Sequence, residues 1–314
     1  MRGDTRHRRA TGARWWRHWA RGLGVVAVLL GATAAGPKKG KEPSTGDDLI
    51  FRPTVIVRKG TGQGSGTIIA SVDGETLVLT AAHVVREAGP IGVELHRYNL
   101  GVEQAIPRGG WPVTLPAEVA ASDPAADVAV VRIRGRPALP FVARLGAPGD
   151  EPGPEALVTS VGIDGGSRLE SWSTRVYSSV WFAMVPDARP GTGKRAVAGA
   201  RAGTTGTRFR QPSRPGRDAE PFGPGERPFL LTARAPEHGR AGGGLCLDGG
   251  RLVLVGVCVG RFELDNGKAV GVFASGQSVR RLLRLHDLET VVERSEAGRE
   301  KETGDRRQET GGKK

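Results

Sequence analysis

The stretch GSGTIIASVDGETLVLTAAHVV, residues 64–85, contains two runs of small, β-branched and aliphatic residues joined by Asp73 and Gly74. An Asp-Gly pair between two such runs is typical of a tight β-hairpin. The second run ends in Thr-Ala-Ala-His, which predicts that His83 lies where a strand leaves the mouth of a β-barrel. We therefore expect packing to hold this residue in place while its imidazole ring reaches solvent.

The same β pattern continues through the rest of the chain. Short runs rich in Val, Ile, Leu and Thr, bounded by Gly, Pro and Asp, predict strands that include Thr54–Val57, Ser173–Phe182, Leu252–Val259 and Ala269–Phe273. Helical patterns of 10–15 residues are missing between these runs, which argues against a parallel α/β sheet. With 48 Gly and 21 Pro in 314 residues, the composition favours many turns and hence antiparallel barrels or sandwiches.

Two further segments carry candidate functional groups. Asp127 comes directly before the apolar run Val128–Ile133, where its carboxylate can accept a hydrogen bond from an imidazole and fix the tautomer of the ring. Asp123, four residues earlier, is expected to be a turn residue. The second segment is the glycine-rich turn GRAGG, Gly239–Gly243, which is followed by a predicted hairpin and an apolar strand that contains Cys258.

The order of His83, Asp127 and the glycine-rich turn resembles that of the chymotrypsin-like and trypsin-like serine endopeptidases, most closely the bacterial high-temperature-requirement branch. The resemblance covers roughly residues 50–293 and implies an all-β fold of two six-stranded antiparallel barrels with a C-terminal helix. It also implies a site in the cleft between the barrels. There His83 would be the general base, Asp127 the acid that orients it, and the amides of Gly239 and Ala241 the oxyanion hole.

The glycine-rich turn departs from the family at its centre. The family has Gly, Asp or Asn, Ser, Gly, Gly there, with Ser as the nucleophile, whereas this chain has Ala241 at the nucleophile position. Losing such a hydroxyl typically removes about a millionfold in turnover. Arg240 replaces the acidic or amide residue of the family. This excludes the mode of activation in which an inserted N-terminal amine pairs with an acid at that position. Ala235 stands where tryptic specificity requires Asp, so the cleft should accept a small or apolar side chain.

Other side chains are weaker candidates for a nucleophile. Ser65 resembles a structural strand serine of the family. Cys258 lies on the strand that would line the specificity pocket, and a thiol near an imidazole can attack a carbonyl. A cysteine in an apolar strand is more often a small buried hydrophobe. A disulfide between Cys246 and Cys258 is doubtful, because a turn at Gly249-Gly250 would set Cys246 opposite another residue. The six His are scattered, with no pair at ligand spacing, so we expect no metal site. We also expect no cofactor.

The N-terminal segment is expected to direct export to the periplasm or the cell exterior. Residues 1–35 begin with seven Arg against one acid, continue with a short apolar run, and end at Ala32-Thr33-Ala34, the pattern of a cleavable secretory signal. The apolar run is short for a membrane span, but an uncleaved anchor at residues 22–36 stays open as an alternative. Membrane contact is expected only through this segment, and residues 36–49 read as a flexible linker.

The remaining chain divides into a peptidase-like domain, residues 50–293, and a charged tail, residues 294–314, expected to be disordered. Within the domain, residues 187–228 form a long loop rich in Arg, Gly and Pro. A capping Ser and apolar residues at helical spacing predict one helix from Ser278 to about Glu293. The net charge of +13 is concentrated, because residues 187–240 hold eleven basic residues against five acidic ones and most of the rest belongs to the export segment.

Three functions remain open from the sequence. The first is an exported pseudoprotease that binds a peptide or protein partner in the cleft. The second is a working serine endopeptidase, which would require Ala241 to stand for Ser or another residue to serve as nucleophile. The third is binding of an anionic polymer, such as an envelope polysaccharide or nucleic acid, through the Arg-rich loop.

Overall fold

The computed structural model describes residues 45–101, 111–184, 197–198, 226–248, 252–264 and 266–299. The expected export segment, most of the Arg-rich loop and the end of the expected tail lie outside these residues. The described part begins with the short helix α1 (Thr45–Ile50), which lies where the sequence suggested the end of a linker.

Six strands form the first barrel: β1 (Thr54–Lys59), β2 (Gly62–Val72), β3 (Glu75–Ala81), β4 (Ile91–Leu95), β5 (Val113–Asp123) and β6 (Val128–Arg134). They pair antiparallel in the closed order β1-β2-β3-β6-β5-β4. Strands β2 and β3 are joined at Asp73-Gly74, with Val72 opposite Glu75, so the opening stretch of sequence is the predicted hairpin.

The second sheet contains β7 (Leu157–Asp164), β8 (Arg168–Met184), β9 (Val197–Ala198), β10 (Arg227–Thr232), β11 (Gly244–Leu247), β12 (Val253–Glu263) and β13 (Ala269–Ser275). Its order is β10-β13-β12-β11-β7-β8-β9. Because β10 also pairs with β8, six of these strands close into a ring and β9 is an additional strand beside β8. The all-β, chymotrypsin-like fold predicted from the sequence is confirmed.

Strands β3 and β6 are buried on both faces, and this fixes where the two sheets meet. Val78 and Val131 belong to the cluster inside the first barrel. Their neighbours Leu77, Leu79 and Val130 belong instead to a cluster that contains residues of β10, β12 and β13. Since successive side chains of a strand point to opposite faces, one face fills the barrel and the other packs on the second sheet. The ends of β3 and β6 therefore lie at the junction between the sheets.

The C-terminal helix is two helices, so the prediction of one helix from Ser278 to about Glu293 is wrong. Helix α2 (Gly276–Leu285) is followed by α3, residues 289–299. Asp287 adopts a left-handed φ of 55°, and the N–H of Leu288 donates to Leu283 O at 2.9 Å. Together with the bond from Asp287 N to Arg284 O, this is a Schellman motif, which ends a helix.

Helix α3 continues past residue 293 and docks on the first barrel, so residues 294–299 are helical where the sequence predicted disorder. Ser295 is buried, and its Oγ accepts the N–H of Ser71 in β2 at 2.9 Å. Arg299 Nη1 donates to Val142 O at 2.8 Å. These contacts, which sequence composition does not reveal, supply the free energy that orders this segment.

Replacing Ser295 with Ala should lower the free energy of unfolding by about 1–3 kcal/mol, because it leaves the buried N–H of Ser71 without an acceptor. Urea unfolding of the full chain measures this change. Glu293→Ala, an exposed change on the same helix, is the control and should stay within about 0.5 kcal/mol. Equal midpoints for Ser295→Ala and the unmodified chain would contradict the docking of α3.

Candidate active site

His83 and Asp127 form a hydrogen-bonded pair at the junction of the two sheets. His83 lies in a single 3-10 turn, Ala82–Val85, directly after β3. Its Nδ1 is 2.7 Å from Asp127 Oδ2, and its backbone N–H donates to Asp127 Oδ1 at 2.9 Å. The carboxylate therefore holds both the ring and the backbone of this residue. With Nδ1 engaged as the donor, Nε2 is the ring nitrogen that can accept a proton.

The position of Asp127 is fixed by a tight turn before β6. Its φ of 54° lies in the left-handed region, and its carbonyl accepts the N–H of Ala82 at 3.0 Å. Asp123 Oδ1 accepts the N–H groups of Ala125 and Ala126, so Asp123 is a turn residue as expected. Its other oxygen accepts Nε–H of Arg227, from β10, at 2.6 Å. The turn that positions Asp127 is thus tied to the second sheet.

The glycine-rich segment consists of two successive type II turns. Arg240 N–H donates to Glu237 O at 3.4 Å, and Gly243 N–H donates to Arg240 O at 2.8 Å. The third residue of each turn, Gly239 and Gly242, has a φ of 97° and 89°. A turn in which the third residue has a positive φ and the second does not is type II, and its third position favours glycine. A Cβ at Gly242 would also lie 2.0 Å from Ser65 O, so no larger residue fits.

Hydrogen bonds fix most carbonyl groups of this segment. The acceptors and their donors are His238 O with Gly165 N, Gly239 O with Ser65 Oγ, Ala241 O with Ser65 N, and Gly243 O with Cys258 N, at 2.7–3.0 Å. By contrast, the N–H groups of Gly239 and Ala241 have no acceptor among the residues that the structure describes. Two donors of this kind are what an oxyanion hole needs.

Ala241 lies beside the turn that carries His83. Its half-buried side chain packs against the cluster of the first barrel that contains Ala82 and Val84, the neighbours of His83. The structure thus brings together the three segments whose sequence patterns predicted the site. At Ala241 they offer a methyl group and no hydroxyl.

Among the residues that the structure describes, Arg240 is the largest fully buried side chain, with 0% exposure. Its guanidinium binds both carboxylate oxygens of Asp164, at the end of β7, with Nε 2.8 Å from Oδ1. Nη1 donates to Ser160 O at 3.1 Å, and the guanidinium carbon of Arg240 lies 5.0 Å from the centroid of the Trp172 ring. A buried charge is retained only when it is paired. This ion pair therefore anchors the centre of the glycine-rich turn on β7.

Sequence reasoning missed Asp164 because it lies 76 residues from Arg240. The signal that could have found it is the position of Arg240 itself. An Arg in a glycine-rich turn that packs against a sheet needs a carboxylate partner, and Asp164 comes three residues after the predicted strand that ends at Val161.

Cys258 occupies the core and not the cleft surface. Its side chain is 0% exposed in a cluster with Trp172 and Phe273, and burial raises the pKa of its thiol to about 12. Cys246 is also buried, with a pKa raised to about 12 by burial, and both cysteines are free. The burial of Cys258 counts against the predicted lining of a specificity pocket by its side chain. Its backbone instead binds the turn, because Cys258 O accepts the N–H of Gly242 and Cys258 N–H donates to Gly243 O.

The other predicted site residues lie near the turn. Ala235 is half-buried and follows Arg234, whose guanidinium carbon is 4.8 Å from the centroid of the Trp172 ring. His238 is exposed. Ser65 has the structural role that the resemblance implied, because its Oγ also accepts the N–H of Ile163 in β7 at 2.8 Å. In the described residues, no group of three or more His, Cys, Asp or Glu is arranged to hold a metal ion.

Asp164→Asn should destabilise the fold by roughly 3–5 kcal/mol, because it leaves the buried Arg240 guanidinium without a countercharge. The measurement is urea unfolding of the full chain. Glu118→Gln breaks the exposed ion pair with Arg134 and is the matched control, expected to cost less than about 1 kcal/mol. Similar losses in the two variants would refute the anchoring role of Asp164.

Both cysteines should resist thiol reagents in the folded protein. A pKa of about 12 means that each thiol stays protonated at about pH 8, where a free cysteine is partly ionised. Titration with Ellman's reagent should detect no fast-reacting thiol before denaturation and two thiols after it. A fast-reacting thiol in the native state would show that one side chain reaches solvent.

Comparison with known proteins places these features in a family. No curated protein matches the sequence significantly. Among solved structures, an inactive-form serine-to-alanine mutant of Rv3671c from M. tuberculosis H37Rv has a TM-score of 0.47 and 21% identity, covering 75% of this chain and 87% of that chain. The apo protease domain of MamO from Magnetospirillum magneticum has a TM-score of 0.47 and 15% identity, covering 74% and 96%.

A third solved structure, a serine-to-alanine variant of the HtrA-type protease AlgW with a tripeptide, has a TM-score of 0.48 and 16% identity, covering 76% of this chain and 61% of that chain. The family model described as "Trypsin-like peptidase domain" matches residues 64–257, which is well over half of the sequence and includes every segment of the site. The chain therefore belongs to the family of trypsin-like peptidase domains.

Proposed function

We propose that this protein is an exported, catalytically inactive member of its family that binds a peptide or protein partner in the cleft between the sheets. The observation that carries the proposal is the contrast at the site. His83 and Asp127 keep the geometry of a general base and its orienting acid, while the nucleophile position holds Ala241. Without a hydroxyl, Nε2 of His83 has no side chain to deprotonate and no acyl intermediate can form.

The binding part of the site does not depend on that hydroxyl. Backbone N–H groups at Gly239 and Ala241 can donate to a bound carbonyl or carboxylate oxygen whatever the side chain at 241. A methyl group at Ala235 carries no charge, which favours a small or apolar side chain of the partner over Lys or Arg. These features support binding, and by themselves they give at most a residual acceleration of about 10³–10⁴-fold over water.

An alternative nucleophile finds little support. The thiol of Cys258 is buried and protonated, as described above, so it is neither accessible nor ionised at neutral pH. The Oγ of Ser65 is engaged by Gly239 and Ile163 and supports the turn from behind. These contacts favour the hypothesis of a catalytically inactive protein over that of a working endopeptidase.

Export remains part of the proposal on the sequence of residues 1–35, which lie outside the described residues. None of the helices within residues 45–299 that the structure describes has the length and apolar character to cross a membrane. The proposed signal is residues 1–35, and the alternative of an uncleaved anchor concerns residues 22–36. Binding of an anionic polymer would rest on residues 187–228, of which only a few are described.

The full chain should show no turnover of casein or of peptide esters, because Ala241 supplies no nucleophile. Ala241→Ser should raise the rate of ester hydrolysis by at least about a hundredfold, since the base, the acid and the donors are already in place. The double variant with Ala241→Ser and His83→Ala is the control and should return to background. Robust hydrolysis by the unmodified chain that His83→Ala abolishes would overturn the proposal.

A further inference from the structure

The backbone of the glycine-rich turn presents two donors, and six carbonyl groups between Glu237 and Gly243 are occupied by other donors. The carbonyls of Glu237, His238, Gly239, Arg240, Ala241 and Gly243 each accept a hydrogen bond from the protein. In the described part of the chain, the N–H groups of Gly239 and Ala241 have no such partner. Successive N–H groups presented without competing carbonyl oxygens form a concavity that binds anions.

We propose that this concavity captures the free C-terminal carboxylate of a peptide, with the N–H groups of Gly239 and Ala241 as donors. The inference rests on the proposed function of the cleft as a peptide-binding site and names the kind of peptide end that it takes. Capture of a C-terminal carboxylate by backbone N–H groups is a recurring mode of peptide recognition. The bonds that it forms are charge-assisted and stronger than those to a neutral carbonyl.

The substitution at 241 favours an anion with two oxygens. A serine at 241 would add a hydroxyl oxygen near this amide, whereas alanine adds no such atom, and the second carboxylate oxygen would take that place. The carboxylates of Asp127 and Asp164 are engaged by His83 and Arg240, which limits their repulsion of a bound anion. The same feature that removes catalysis therefore fits the cleft to a peptide that already ends at this point.

The turn is held in its donor-presenting form by the protein itself. Rotating the peptide group between His238 and Gly239 would break the bond from Gly165 N–H to His238 O. The centre of the turn is fixed by the buried pair of Arg240 and Asp164. Because both contacts lie within the chain, the concavity needs no bound partner and no cleaved terminus to form, and binding does not have to supply the free energy of ordering it.

The inference is tested by changing the C-terminal group of the peptide ligand. A pooled library of N-acetylated heptapeptides is prepared once with free C-terminal carboxylates and once as C-terminal amides, and both are incubated with the immobilised full chain. Retained peptides are identified by mass spectrometry, and their affinities are measured by calorimetry. We expect the free acids to bind at least about tenfold more tightly than their amide counterparts. Binding should also shift the ¹⁵N–¹H resonances of Gly239 and Ala241.

A variant of the protein provides the second arm. Ala241→Val adds two methyl groups beside the donors and should abolish the preference for free acids by filling the space for the second oxygen. The same exchange at the exposed Ala147, Ala147→Val, is the matched control and should leave the preference unchanged. Circular dichroism and the urea midpoint establish that both variants remain folded.

The outcomes separate the inference from the proposed function. Equal affinity for acids and amides would overturn carboxylate capture while leaving peptide binding intact. A preference for acids that survives Ala241→Val would overturn the assignment to these two donors. Failure of both libraries to bind would overturn peptide binding in the cleft and, with it, this inference. Acid preference lost only in Ala241→Val, with shifts at Gly239 and Ala241, would support it.

Discussion

Ser65 is the residue on which the geometry of the site depends, because it joins β2 of the first barrel to both β7 and the glycine-rich turn. Its N–H donates to Ala241 O, its Oγ donates to Gly239 O and accepts from Ile163 N–H, and its carbonyl accepts from Thr80 Oγ1. A single buried strand residue thus sets how the turn lies relative to the first barrel. The backbone donors of the turn take their direction from these bonds.

Two ion pairs complete this arrangement from the two sides of the junction. Asp123 and Arg227 connect the turn before β6 to β10, and Arg240 and Asp164 connect the glycine-rich turn to β7. The second pair is the more deeply buried. Separating it would leave a buried charge without a partner at a high cost in free energy, and this keeps the turn in one conformation. The site is thereby organised independently of whether a nucleophile is present.

Much of the fold could be predicted from the sequence because the signals are local. The hairpin at Asp73-Gly74 and the apolar runs around it follow from turn chemistry and strand composition. His83 and Asp127 could be named because the first directly follows a recognisable strand and the second directly precedes one. The end of α2 could not, because Asp287 takes a left-handed conformation where the usual signal is glycine. The docking of α3 depends on Ser71 and Val142, which are distant in sequence.

The sequence by itself determined the all-β fold, the residue types at the site and the absence of a hydroxyl at Ala241, since these follow from local patterns and from identity at one position. Only the tertiary structure decided that Arg240 is paired with Asp164, that Cys258 is enclosed in the core, and that the donors of Gly239 and Ala241 have no partner among the described residues. The reason is physical. Burial and hydrogen bonding depend on which segments, distant in sequence, pack against each other, and a local sequence pattern does not specify those contacts.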